Sequence, residues 1–165
     1  MSADSALLRA ASWRLLALTL ACGCSTAFKT SVVAERVRLD VPFYRDSLGR
    51  HGPAALASIL TFWDHYTEPQ ALRLEGYAGR LKGSLPVDLL LAAQDRGMQA
   101  RSFQAGVKDV RNELKLGHPV MAYLNLGLLP APKGRYVVIT GFDDGRGGFF
   151  VHGAQANRFV RYETF

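Results

Sequence analysis

Cysteine is nearly missing from this chain: of 165 residues only Cys22 and Cys24 carry a thiol. Beyond position 24 there can therefore be no disulfide framework and no thiolate metal site. Long apolar runs are also lacking, since nothing after residue 24 reaches the ~20 consecutive apolar residues that a membrane-spanning helix needs. Acidic residues are outnumbered, with 14 Asp and Glu against 20 Lys and Arg, which gives a net charge of +6. The cations are scattered and form no stripe interleaved with aromatics, so nucleic acid is not the expected partner. His51, His118 and His152 have none of the local repeats of zinc motifs, and no metal or other cofactor is implied.

What is present suits a folded body behind an export signal. Hydrophobic residues make up 48% and charged residues 21%, a balance too apolar for disorder, and the length fits one domain. Arg9 and Arg14 precede an apolar run over 15–21, the length of a signal-peptide core. The small residues around the thiols in Ala21-Cys22-Gly23-Cys24-Ser25 resemble a bacterial lipobox. That resemblance implies lipidation, expected at Cys24 with Cys22 as the alternative, and attachment to the cell envelope, on the outer membrane facing the periplasm. The competing reading is an ordinary secretory signal. The expected layout is a signal over 1–24, a tether over 25–36 and a domain over 37–165.

Within the domain, alternation over 37–41 predicts a strand limited by Pro42. Residues 52–63, with Pro53 in the first turn, predict a helix apolar on nearly every face and hence buried. Further helices are expected over 68–77, over 86–96 with Ser84 as N-cap and Val87, Leu90 and Leu91 facing inward, and over 107–116. Gly97 and Gly117 should end the last two. Runs over 119–124, 136–142 and 148–152 read as strands, the last two joined by a loop at 143–148. Helices followed by an antiparallel sheet define an α+β domain.

The order Val41-Pro42-Phe43, Gly52-Pro53-Ala54-Ala55-Leu56, Gly83-Ser84 before Asp88-Leu89-Leu90, Gly117-His118-Pro119-Val120 and Tyr136-Val137-Val138-Ile139-Thr140-Gly141-Phe142-Asp143-Asp144 resembles cysteine peptidase family thirty-nine. These are the papain-like enzymes that remove double-glycine leaders from bacteriocins, and the likeness is to their free-standing lipoprotein members. It spans residues 37–165 and implies a papain-like fold. In the family the buried helix opens with glutamine, cysteine, glycine and proline; here those positions read Arg50-His51-Gly52-Pro53. The family histidine falls on Arg135, and the third member falls around 151–153, where no Asp or Asn stands. An arginine cannot act as general base, because its guanidinium stays protonated. An imidazole at the positive end of a helix is disfavoured as a cation and cannot form the family's acyl-thioester.

The resemblance therefore implies a degenerate peptidase-like domain, a pseudoenzyme that binds a peptide or protein partner of the envelope. Arg50, His51, Arg135 and His152 are its candidate binding residues, suited to a carboxylate if the fold gathers them; the competing reading is a drifted site facing water. The alternative function is proteolysis through a rearranged site, although Ser47, Ser58 and Thr61, the hydroxyls near the helix, miss the nucleophile position. Phe62, Trp63 and Tyr66 are expected at the core or its edge, and His118 in a turn. Family members commonly continue beyond the equivalent of 160–165, so the sheet is expected to lack an edge strand.

Overall fold

The computed structural model describes residues 34–45, 51–75, 85–125 and 134–165. The signal, both cysteines, most of the tether, Ser84 and Arg50 lie outside the described residues. Residues Ala34–Phe165 form one compact unit.

The order of elements is β1 (Arg36–Arg38), α1 (His51–Phe62), α2 (Pro69–Glu75), α3 (Pro86–Gln94), α4 (Val107–Lys115), β2 (Val120–Asn125), β3 (Gly134–Asp143), β4 (Gly148–His152) and β5 (Arg158–Arg161). After β1, four helices precede the other strands of one antiparallel sheet, in keeping with the α+β reading. The ten-residue strand β3 is its axis: β2 pairs with its first half, β1 with its second half, and β4 lies on its other side with β5 beyond.

Alternation along β3 divides the interior into two cores. Tyr136 and Val138 face α1 and α3, packing with Leu56, Leu60, Leu89 and Ala93. Val137 and Ile139 face the opposite way and pack with Val110 and Leu114 of α4, Phe142 and Phe149. Successive strand side chains point to opposite faces, so this one run of apolar residues serves both layers. A register shift between Ile139 and Gly141 opposite β4 interrupts the pattern before the strand continues towards its loop. There the Arg146 N–H is accepted by the Asp143 side chain at 3.1 Å, and Gly147 takes a positive φ of 66°.

The helix boundaries follow local chemistry. The N–H groups of Leu85 and Gly106 are accepted by Asp88 and Asp109, each three residues on, at 3.3 and 2.9 Å; Leu85, not the expected Ser84, is thus the N-cap of α3. Gly97 and Gly117 end α3 and α4 with φ of 78° and 84°, the left-handed conformation that glycine adopts freely.

Two expectations are corrected. On α3 the inward face is Leu89, Ala92 and Ala93, while Val87 and Leu91 are 52% and 51% exposed; a helix made mostly of apolar residues gives periodicity no contrast to read. The first strand ends at Arg38, after which the Leu39 N–H still donates to the Thr140 carbonyl at 2.7 Å before Pro42. Beyond β4 lies β5, whose Phe159 and Val160 pair with Phe150 and Phe149.

Candidate functional site

The chain enters α1 through Gly52 and Pro53, both buried, and Ala54 to Ser58 are buried behind them. This helix is covered on nearly every side, as its composition implies, and its first residue, His51, stands at the rim of a depression of about 260 Å³, counting its open mouth. Phe43 and Tyr44 from the segment after β1, Ser58 from α1, Tyr136 from β3 and His152 from β4 complete the wall.

His152 is the best-defined group there. Only 5% exposed, it places Nε2 2.9 Å from the Val41 carbonyl, while its Nδ1 accepts the Asn157 N–H at 3.0 Å. The carbonyl can only accept and the amide can only donate, which assigns the ring proton to Nε2. Phe43 meets the imidazole edge-on, with ring centres 5.4 Å apart. Both nitrogens are thus engaged with backbone, and neither is left to activate a nucleophile. Asn157 makes this contact from a positive φ of 54°, a conformation Asn tolerates better than most residues.

The hydroxyls are similarly occupied. Ser58 Oγ donates to the Ala54 carbonyl at 3.0 Å, which ties it to its own helix. Tyr44 and Thr61 share a hydrogen bond of 3.2 Å. Tyr136 is buried, and its ring centre lies 4.8 Å from that of Tyr123. Burial, and secondarily the nearby Tyr123 and Asp88, push its phenol up to about 12, so at neutral pH it is an uncharged group able to donate. With no cysteine after position 24 the wall holds no thiol. Among the described residues no group of three His, Cys, Asp or Glu side chains could hold a metal ion.

Of the residues singled out from sequence, His51 and His152 meet at this depression. Arg135 does not join them. It lies opposite Leu124 in an unbroken β2–β3 register, one residue from the inward Tyr136, and therefore shares the face of Val137. Expecting it beside His51 rested on family position, whereas strand alternation sends neighbouring residues to opposite faces. Arg50 lies outside the described residues.

His118 is held elsewhere, with Nδ1 2.8 Å from Glu113 Oε2 and its ring 5.9 Å from Trp63. Phe62 is half-buried as expected, but Trp63 is 39% and Tyr66 68% exposed. Phe43, Tyr44 and Tyr136 were not anticipated as site residues. The signal for Tyr136 was available, since it shares period-two spacing with the inward Val138.

No family model matches the chain, and no curated protein matches it by sequence. Solved structures do match. A double-glycine-motif protease from an AMS/PCAT transporter, determined in complex with its leader peptide, superposes with a TM-score of 0.62 at 19% identity, covering 78% of this chain and 85% of its own. The peptidase domain of Streptococcus ComA, a bifunctional ABC transporter of a quorum-sensing pathway, gives a TM-score of 0.60 at 19% identity, with 76% and 88% covered. The fold of this chain is thus the papain-like fold of these peptidase domains.

Proposed function

We propose that this protein is a peptidase-like lipoprotein of the cell envelope that binds a peptide or protein partner without cleaving it. The observation that carries this reading is the closure of the site's own chemistry. The thiol is missing, the buried imidazole of His152 is bonded to backbone at both nitrogens, and Ser58 is bonded to its helix. A nucleophile needs an adjacent base free to take its proton, and the described residues of the depression supply no such pair.

Binding is supported by what surrounds the depression. His51 stands at the start of α1, where helix amides favour an anion such as a carboxylate. The neutral Tyr136 adds a donor group. Leu85, Val87 and Leu91 of and before α3 and Tyr123 of β2 are between 40% and 59% exposed, and Tyr123 packs on Tyr136. A peptide would find a polar end and an apolar side there. One structural neighbour has been captured with a leader peptide, which makes a polypeptide the natural ligand class. Membrane attachment is proposed through lipidated Cys24, with the domain facing the periplasm.

Titration of the chain from Ser25 onward with acidic peptides tests the site. We expect saturable binding that weakens roughly tenfold in His51→Ala, on the scale of one charge-assisted hydrogen bond. Unchanged binding in both His51→Ala and Tyr136→Phe would remove this depression as the site.

A further inference from the structure

At the other end of the α1-facing side of the sheet, arginines gather around two aromatic rings. Arg36 and Arg38 alternate outward on β1 while Val37 between them packs inward. Their Cζ atoms lie 5.5 and 5.0 Å from the centre of the Phe150 ring. From the β3–β4 loop, Arg146 lies 5.9 Å from the same ring and 3.9 Å from that of Phe159. Phe150 and Phe159 themselves meet edge to face at 5.4 Å. Arg161, two residues from Phe159 and opposite Gly148, adds a fourth guanidinium to this face by strand alternation.

Glycines make room for the cluster. A Cβ at Gly141 would stand 2.3 Å from the Val37 carbonyl oxygen and 2.9 Å from Arg38 Cα, and one at Gly148 would stand 2.7 Å from the Phe159 ring.

The acidic residues of this end are largely committed elsewhere. Asp144 pairs with Arg111 and accepts the Tyr162 hydroxyl at 2.8 Å, and Glu35 pairs with Lys115 at 2.5 Å. Asp143 approaches Arg36 at 3.7 Å. Among the described residues no carboxylate lies within ion-pair distance of Arg38, Arg146 or Arg161. A guanidinium lying over a ring keeps its N–H edges free, and those edges match phosphate oxygens in pairs. Several such cations around one ring repel each other until an anion lies between them.

We propose that this arginine-covered face docks on the anionic phospholipid headgroups of the membrane to which the chain is tethered. The inference rests on the anchored reading above, because it is the anchor that brings this face to a bilayer. Cys24 precedes Arg36 by 12 residues (36 minus 24), a span of at most about 40 Å at full extension. The cations lie across strands and a loop of one sheet face rather than in a pocket, which suits a plane of headgroups. Stacking of nucleobases is disfavoured because Phe150, only 5% exposed, is already covered.

The test uses the chain from Ser25 onward, which carries neither signal nor acyl chain and contains the compact unit with both cores. Sedimentation is measured with phosphatidylcholine vesicles, with and without phosphatidylglycerol. We expect binding only with the anionic lipid, weakening as salt rises, and at least roughly tenfold weaker in Arg38→Glu/Arg146→Glu. Arg101→Glu should bind as the parent does. Circular dichroism confirms folding, and Arg38→Gln/Arg146→Gln, with an intermediate loss, serves if charge reversal unfolds the chain. Equal binding by the charge-reversed protein, equal binding to neutral vesicles, or retention by an oligonucleotide or inorganic phosphate but not by vesicles would overturn the proposal. Lipidation is read separately, from the mass of the whole processed chain and of Cys24→Ala. Its failure would remove the anchor without altering the vesicle result.

Discussion

The two ends of the α1-facing side of the sheet treat their polar groups in opposite ways. Around α1 the imidazole, hydroxyl and phenol groups turn inward: His152 is spent on the Val41 carbonyl and the Asn157 amide, and Ser58 on its own helix. Around Phe150 the guanidinium groups turn outward, and Arg38 and Arg146 lie over aromatic rings with no carboxylate partner among the described residues. Burial explains the contrast. A polar group without a partner costs about 1–3 kcal/mol once buried, so the interior end satisfies its groups locally, whereas an exposed arginine keeps water as a partner until an anion arrives. Polar groups at the interior end are thereby held as structure, while the exposed guanidinium groups stay open to an anion.

The largest effect should come from breaking the closed end. His152→Ala removes the partners of two backbone groups and opens a cavity beside Phe43, so a loss of about 3–5 kcal/mol in denaturant unfolding is expected. A loss below about 1 kcal/mol would mean that the imidazole is not the structural strut described here. A smaller effect should appear at high pH. Tyr136 and Tyr162 both hold their phenols above the ordinary value of 10, chiefly through burial, Tyr162 also through its hydrogen bond to Asp144. The folded chain keeps protons that the unfolded chain has lost, so their contribution is intact below pH 10 and falls as pH rises through 10 towards 12. Urea midpoints should decline over that window and decline less in Tyr136→Phe/Tyr162→Phe.

The smallest effect concerns a surface pair outside both ends. Glu113 is held below the usual carboxylate range, first by its hydrogen bond to His118 and also by Arg101, against the opposing influence of partial burial. Stability from this group is present above the ordinary carboxylate range and should be lost as pH falls through it. At neutral pH Glu113→Gln should cost no more than about 1 kcal/mol, and a larger loss in thermal melts would show that the pair shapes the turn into β2.

Much of this architecture was legible in the residues. Gly97 and Gly117 as stops, and β-branched and aromatic runs bounded by Gly and Asp, mark local choices that the fold keeps. The inward face of α3 was not legible, because Val87, Leu89, Leu90 and Leu91 are equally apolar and only contact with α1 selects Leu89. The strand β5 was hidden for a related reason: arginines at both ends of Arg158–Arg161 mask its alternation. At the site, His51 and His152 could be named from sequence, but the partners of His152 at positions 41 and 157 are distant contacts with no local signature. The guanidinium cluster was invisible for the same reason, since Arg36, Arg38, Arg146 and Arg161 come together only through strand pairing.

If this peptidase-like fold binds without cutting, peptides should be held by it and returned whole. This is tested most directly by incubating the chain from Ser25 onward with a broad peptide library and reading both retained peptides and products by mass spectrometry. Peptides are expected to be retained, to bind more weakly to His51→Ala and to be returned intact. Cleavage products that disappear in His51→Ala would contradict this reading.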